Sequence, residues 1–358
     1  MDDLALVMIV KNEEHIIHRS LKSVFLFIKK IIIVDTGSTD NTKNIIKKLC
    51  KENGKELTLF DSEWKNFGHN RSEALELARP LCKWALMLDA DDFVELSDIN
   101  KSLDDTNTGY KIQIKHRNLV HYRTHIFNSK YNWSYKCPVH EYPVCDINKP
   151  LPVLPNFIIN ARCEGNRSLS GNKKYLLDAY MLKEELNNEN CDIGRTLFYL
   201  AQSYRDAELN AEALVYYKMR EQYEGFYQEN YISCLNIIRL SPLFEEKLKY
   251  AWKAQNYYKR PEVPYEMLIY CRRNNIFNEE IYLMGKTYMT SVILPDSLFA
   301  EKDAYSWKYK DELSIHAFYN EDYDNTIKLA ESILNECNEE DKERILLNIK
   351  LSKDNIRK

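Results

Sequence analysis

The chain has 358 residues, with 50 Lys and Arg against 54 Asp and Glu, a formal net charge of −4. At 44% hydrophobic and 29% charged it is an ordinary globular mixture, apolar enough for two domains or one large one. The slightly acidic balance, without a dense basic cluster, excludes a general nucleic-acid binder, and apolar runs such as SVFLFI and IIIV fall far short of the ~20 residues of a transmembrane helix.

The opening stretch, MDDLALVMIVKNEE, has no basic n-region and predicts no secretory signal. Within it LALVMIV predicts a buried strand. NEEHIIHRSLKSVFLFI has helical spacing, and KKIIIVD predicts a second buried strand closed by a turn at Thr36-Gly37-Ser38. Capping candidates at Ser38 to Asp40 open a helix over NTKNIIKKLCKEN, which stops at Gly54. ELTLF predicts a third strand, HNRSEALELARPL a helix as far as Pro80, and KWALMLD a fourth strand. Strands this apolar, separated by helices, predict a mostly parallel sheet covered on both faces. Ligands of such sheets gather at the carboxyl ends of the strands. Asn12, Asp35 and Asp89 each close a different apolar strand.

Residues 100–165 form the join. TGYKIQIKH and RTHIFN predict strands, whereas KPLPVLPNFIIN, with three prolines, predicts an extended connection. From about residue 171 helical patterns dominate. LFYLAQSYRDAELNAEALVYYKMR sets Leu197, Leu200, Ala201, Tyr204, Ala213 and Tyr217 near the offsets of a tetratricopeptide-like hairpin, with degenerate echoes over 232–259, 265–290 and 307–334. The expected organisation is an α/β domain over 1–170 and an all-α helical-hairpin domain over 171–358. Many of the 25 tyrosines lie in the second half. Helix–helix packing with the hydroxyl at the surface is their expected role, ahead of stacking on sugars or peptides.

Nine cysteines, with no CxxC pair, predict free thiols in a reducing, cytoplasmic compartment and exclude an ordinary cysteine zinc site. The sequons at Asn132 and Asn166 then read as chance matches.

The segment LMLDADDF, residues 86–93, ends an apolar strand in three carboxylates, Asp89, Asp91 and Asp92. Like charges this close resist burial unless something neutralises them. A hard divalent cation shared with a diphosphate would do so, the cation stabilising the diphosphate as a leaving group. The bland alternative is that the aspartates cap a following helix. A haloacid-dehalogenase-type phosphatase fits poorly, given Phe93 and the late position. A calcium loop lacks its Gly and distal Glu, and neither Gly-rich phosphate loop is present.

MIVKNEEHI, IIIVDTGSTDNT, WKNFGHNRSEALELA, LMLDADD and PVHEY, in that order, resemble the family 2 glycosyltransferases of the GT-A fold. More closely, the chain is similar to the subgroup with tetratricopeptide-like repeats behind the catalytic domain. The resemblance covers roughly residues 4–220. It implies a Rossmann-like GT-A domain and transfer of a sugar, with inversion, from a nucleotide-diphosphate donor, a UDP-sugar being favoured. It implies Mn²⁺ or Mg²⁺ as the cofactor. The acceptor would be a glycan, a peptide or a lipid-linked glycan, docked on the helical array unless that array serves self-association as a homo-oligomer.

By the same resemblance, Val10, Asn12, Glu13 and Asp35 would hold the nucleoside, Asp35 near the base. Arg71, with Asn70 beside it, would face the diphosphate. Asp89 would face ribose or donor sugar, and Asp91 would bind the cation. Asp92 takes a place often held by Glu or Asp. Glu141, in Val139-His140-Glu141, would be the base, and His140 would orient it, contact phosphate or ligate the metal. Related enzymes often supply a further His before a Gly-x-Arg-Ser segment. Here residues 160–168 read NARCEGNRS, without His. Cys163 or Glu164 could substitute as ligand, or water could take the position, and Glu164 is the alternative base. The competing expectation is a catalytically degenerate scaffold that works through its helices. A nucleotidyltransferase ranks last, because KNEE is not the Gly-rich basic loop it needs.

Overall fold

The computed structural model describes residues 3–96, 103–116, 119–165, 171–294 and 297–357. It divides into two compact units, Met1–Cys191 and Asp192–Lys358.

The first unit is α/β. β1 (Leu4–Val10), β2 (Lys30–Asp35), β3 (Glu56–Asp61) and β4 (Trp84–Met87) alternate with α1 (Ile17–Val24), α2 (Thr42–Glu52) and α3 (Phe67–Ala78). β5 (Phe93–Leu96), β6 (Gly109–His116), β7 (Leu119–Asn128), β8 (Trp133–Lys136), β9 (Tyr142–Cys145), β10 (Val153–Asn160) and α4 (Lys173–Glu185) follow. Eight strands form one sheet in the order β3-β2-β1-β4-β7-β6-β10-β5, and β8 and β9 form a separate hairpin. The half β3-β2-β1-β4 is wholly parallel. β7 joins β4 antiparallel, β6 joins β7 antiparallel, β10 joins β6 parallel, and β5 closes the edge antiparallel. The expected α/β, GT-A architecture is therefore present, with the parallel half as its nucleus.

Burial explains the strand reading. In β1, β2 and β4 almost every side chain is buried, as a sheet covered on both faces requires. Leu6, Met8, Ile31, Ile33 and Leu86 pack with α1 and α2 residues such as Ile17, Leu21 and Ile46 on one face. Val7, Ile32, Val34 and Met87 pack with Ala74 and Ala78 of α3 on the other.

Two local expectations change. The first helix is only Ile17–Val24, shorter than its apolar spacing. The proline-rich stretch KPLPVLPNFIIN is not only a connection, because Val153–Asn160 forms β10 inside the sheet. The register against β6 shifts between Val153 and Ile158, and Asn156 there has φ +62°. Pro155 lacks the N–H a regular ladder needs, and the irregularity accommodates it.

The second unit is helical: α5 (Ile193–Asp206), α6 (Asn210–Arg220), α7 (Tyr227–Leu240), α8 (Phe244–Tyr257), α9 (Glu262–Arg273), α10 (Glu279–Thr287), α11 (Trp307–Tyr319), α12 (Tyr323–Ile333) and α13 (Glu339–Ile356). α5 packs on α6, α7 on α8, α9 on α10, and α11 on α12, so the expected helical hairpins are present. Their core combines Ala201, Ala213, Ala251 and Ala254, which let helices approach, with Phe198, Tyr217 and Tyr231, which fill the space between them. No helix among the described residues is long and apolar enough to cross a membrane.

Candidate active site

The parallel strands end level, with Val10 of β1 opposite Asp35 of β2, so the loops after them meet on one edge. Asp35 is buried. Its Oδ1 accepts from the backbone N–H groups of Gly37 (2.9 Å) and Ser38 (2.7 Å). Its Oδ2 is buried and has no hydrogen-bond partner, an acceptor left open for a ligand donor. Asn12 adopts φ +58°, a left-handed conformation that Asn tolerates better than most residues. Its Oδ1 accepts from Thr39 N (2.8 Å) and its N–H donates to Ser38 Oγ (3.0 Å). Glu13 N donates to Thr42 Oγ1 (2.8 Å). Val10 O accepts from Thr36 N (2.9 Å) and Oγ1 (3.1 Å). Val10, Asn12 and Glu13 thus brace the β1 loop against the β2 loop. Asp40 Oδ1 caps α2 through Thr42 N (3.0 Å). Burial opposes ionisation of Asp40, but its hydrogen bonds hold its pKa below the usual range.

Arg71, on α3, is the centre of the second group. Its Nη2 donates to Asp89 Oδ1 at 2.5 Å, and its Nε lies 2.9 Å from Glu141 Oε1. The guanidinium stands over the Tyr135 ring at 5.9 Å. Burial opposes the charge on Arg71, but Asp89 and Glu141 outweigh it and raise its pKa. Burial likewise opposes ionisation of Asp89, and Arg71 prevails, lowering its pKa. Asn70 is fully buried. Its amide donates to Glu63 O (2.9 Å) and Glu73 Oε2 (3.1 Å) and accepts from Lys65 N (3.0 Å). It shapes the turn before α3 rather than facing the strand ends.

Glu141 reaches Arg71 because of Gly68. The 137–138 segment lies directly on the start of α3, where Phe67 N donates to Pro138 O (3.0 Å). A Cβ on Gly68 would sit 2.1 Å from Cys137 O, so only glycine permits the approach. Cys137 and His140 have φ of +68° and +52°, strained conformations of the kind stored at functional loops. Val139 is buried, while His140 is exposed.

Asp91 and Asp92 form a third group. Asp91 Oδ2 accepts from Glu164 N and Gly165 N, both at 3.0 Å. Asp92 Oδ1 accepts from Arg162 N at 3.0 Å. Arg19 Nη2 donates to Asp91 O (2.8 Å), and its Nη1 pairs with Glu164 Oε2 at 2.7 Å. Burial, then the Asp89 charge, raises the pKa of Asp91 and pushes that of Asp92 up to about 8. Asp92 leads into strand β5, so the three carboxylates do not cap a helix at Phe93. The segment that lacks the family His is thus tied to Asp91 and Asp92. Cys163 Sγ stands 3.6 Å from His116 Nε2. Residues 166–168, which complete that segment and the second sequon, lie outside the described residues.

Several neighbours carry no sequence signal. The β6–β7 register slips at Tyr110/Lys111, which leaves His125 as the extra residue of a β-bulge. Its Nδ1 lies 2.8 Å from Met87 O. A carbonyl only accepts, so Nδ1 carries the proton and Nε2 is an acceptor. Burial, then Arg123, lowers the pKa of His125 to about 4, against the pull of Asp89. Arg123 Nη2 donates to Glu141 O at 3.3 Å. Bulges re-aim side chains beside active sites, and a bulge is legible only once strands are paired.

The donor set suits a hard cation. Asp91 and Asp92 carry raised pKa values that a nearby positive charge would relieve, and every donor there is oxygen. Among the described residues no three His, Cys, Asp or Glu side chains form a ready-made metal cage, so the remaining positions would fall to phosphate oxygens and water. No disulfide joins any two cysteines among the described residues.

Residues 5–136 match the family described as glycosyl transferase family 2. No curated protein matches the chain. Among solved structures, S. aureus TarS 1-349 in complex with UDP-GlcNAc is 14% identical with a TM-score of 0.33, over 84% of this chain and 97% of that one. The mannosyltransferase PcManGT from Pyrobaculum calidifontis, in complex with GDP-Man and Mn²⁺, is 11% identical with a TM-score of 0.34, over 80% and 86%. The assignment rests on the span from β1 through β8, which holds Asp35, Arg71 and the Asp89–Asp92 cluster. Residues 5–136 of this chain thus carry a match to glycosyl transferase family 2, and glycosyl transfer is the activity to which that match points.

Proposed function

We propose that the chain transfers a sugar from a UDP-sugar to a hydroxyl of a glycan, peptide or lipid-linked glycan, with inversion at the anomeric carbon. The observation that carries this reading is the pairing of Arg71 with both Asp89 and Glu141. It joins a cationic group suited to a diphosphate with a carboxylate suited to an acceptor proton. The open Asp35 Oδ2 supports recognition of a ring N–H on the nucleoside base, with Val10, Asn12 and Glu13 shaping the floor.

In this mechanism Glu141 takes the proton of the acceptor hydroxyl as its oxygen bonds to the anomeric carbon. The bond from that carbon to the diphosphate breaks on the opposite side, and its electron pair leaves with the diphosphate. Arg71 compensates the developing negative charge, and Asp89 fixes the guanidinium. His140 lines the same loop as Glu141. Asp91 would hold Mn²⁺ or Mg²⁺, which as a Lewis acid stabilises the leaving diphosphate when bound. The helical hairpins read as tetratricopeptide-like and as the acceptor platform.

The test is a panel of UDP-, GDP- and dTDP-sugars with Mn²⁺ or chelator, measuring released nucleoside diphosphate. Release from one donor, lost in Asp91→Asn, supports the proposal. One observation favours a second reading, a catalytically idle scaffold: Asp91 Oδ2 is already committed to two backbone N–H groups. Calorimetry with UDP and Mn²⁺ separates the two, since the idle scaffold predicts no binding heat.

A further inference from the structure

Helix α13 follows the last hairpin and packs on α12 and α11. Its inner side is buried at Ile345, Ile349 and Ser352, with Ile345 and Ile349 against Ala330 and Ile333 of α12. On a helix of 3.6 residues per turn, Leu347 and Leu351 project roughly opposite to that side, and they are 53% and 42% exposed.

Two exposed leucines are ordinary by themselves. Their setting is what carries information. Glu340, Arg344, Leu347, Leu351 and Asp354 follow one another at spacings of four, three, four and three, the heptad seam of paired helices. Leucines occupy the centre of that seam, and Arg344 and Asp354, of opposite charge, flank them.

The seam is complementary to itself in one direction only. In an antiparallel copy related by a two-fold axis level with Ile349, Leu347 meets the partner's Leu351. Arg344 meets the partner's Asp354, and each contact recurs on the other side of the axis, as an isologous interface requires. A parallel copy would set Arg344 and Asp354 each against its own like-charged counterpart.

The rest of the helix has the same polarity. Glu339, Glu340, Asp341 and Glu343 leave its start net acidic despite Lys342 and Arg344, and Lys350, Lys353 and Arg357 leave its end net basic despite Asp354. Antiparallel pairing lays acidic start on basic end and opposes the two helix dipoles. Arg344 is already fixed, because Nη1 and Nη2 donate to Asp311 of α11 at 3.1 and 2.7 Å, yet its side chain stays 40% exposed. A second carboxylate can therefore join it without ordering it anew. The one adverse contact is at the rim, where the two Lys350 side chains approach the axis and extend into water.

We propose that the protein self-associates through α13 as a weak antiparallel homodimer, with Leu347 and Leu351 at its centre. An anionic lipid surface fits less well, because Glu343 and Asp354 are exposed beside the leucines. The surface lies wholly within the helical unit, and its use does not depend on the transfer reaction.

The test is sedimentation equilibrium of the full chain from about 10 to 500 µM, which brackets the ~100 µM Kd expected of so small a contact. The expected result is a mass that climbs from one chain towards two. Leu347→Glu and Leu351→Glu each place a charge against a leucine of the partner and are expected to weaken association about tenfold or more. Both positions are exposed, so the variants should fold, which thermal melts verify. Asp354→Ala tests direction. Antiparallel pairing loses two ion pairs and weakens about threefold, whereas parallel pairing sheds a repulsion and tightens. A single-chain mass at every concentration overturns the proposal. Association that survives both leucine variants, or that is unchanged or tightened in Asp354→Ala, overturns it too.

Discussion

Arg71 Nε lies 2.9 Å from Glu141 Oε1, although 70 residues separate them in the chain. The same guanidinium holds Asp89 with Nη2, so one buried cation fixes two carboxylates of different proposed function. Only a planar fork can serve both at once. Arg71→Lys keeps the charge but supplies a single ammonium. It is expected to lower kcat/KM about a hundredfold and to lower the stability of the fold, read as a reduced Tm. A near-normal rate in Arg71→Lys would show that bridging both carboxylates is unnecessary.

Glu141→Gln retains the shape of the side chain and removes the base. Nucleoside diphosphate affinity, measured by calorimetry, is expected to stay within about twofold. Transfer should fall about 10²- to 10⁴-fold. Glu164→Gln is the control, because Glu164 pairs with Arg19 instead. Greater loss in Glu164→Gln than in Glu141→Gln would reassign the base.

Asp35 Oδ2 is the open acceptor at the nucleoside end of the site. Asp35→Ala removes both oxygens, including the one that Gly37 and Ser38 use. Asp35→Asn can keep the turn while replacing the open oxygen with a donor. Both are expected to weaken UDP binding, by about tenfold or more, as loss of a buried hydrogen bond to a charged group does. Unchanged UDP affinity in Asp35→Asn would remove Asp35 from base recognition.

Gly68→Ala tests the loop contact. Its Cβ would meet Cys137 O at 2.1 Å, and backbone cannot yield as a flexible side chain does. The expected cost is about 1–3 kcal/mol, with a larger loss in kcat than in nucleotide affinity, because the 137–141 loop moves Glu141 and leaves Asp35 alone. A variant with wild-type Tm and rate would mean that the loop rests loosely on α3.

The pKa of Asp92, raised by burial and by Asp89 to about 8, predicts a pH dependence of stability. An unfolded Asp ionises near 4. Between that pH and about 8 the folded chain holds one more proton than the unfolded chain, so this group's contribution is greatest at low pH. It is lost as pH rises towards 8. Asp92→Asn, which keeps an acceptor for Arg162 N, should remove that slope. Thermal melts of both proteins from pH 5 to 8 are expected to converge at the acidic end and diverge at the alkaline end, the variant being more stable there. Parallel curves would place the Asp92 pKa in the ordinary range.

The parts of this fold that burial writes into the amino-acid sequence are legible there. β1, β2 and β4 are apolar on both faces, and their closing polar residues announce an edge where ligands gather. The helical hairpins likewise coincide with the repeating apolar windows. What is not legible depends on register and on backbone approach. His125 becomes a neighbour of Asp89 only through a one-residue slip between β6 and β7. Glu141 meets Arg71 only because Gly68 lacks a side chain. Pro155 argues against a strand interior, and the irregularity in β10 that tolerates it has no pattern of its own. Asn70 stands beside Arg71 in the chain, and its amide bonds to the turn at Glu63–Lys65, a use that its place in the motif does not reveal.

The two backbone amides that Asp91 Oδ2 holds, on Glu164 and Gly165, belong to a part of the chain more than seventy residues downstream. Protection of those amides against hydrogen exchange therefore depends on what the Asp91 carboxylate is doing. A cation or phosphate that drew Oδ2 elsewhere would release them to solvent, and one that bound through Oδ1 alone would leave them protected. Exchange rates at two ordinary peptide groups would then report, without any turnover or added label, whether and by which oxygen the carboxylate cluster is occupied.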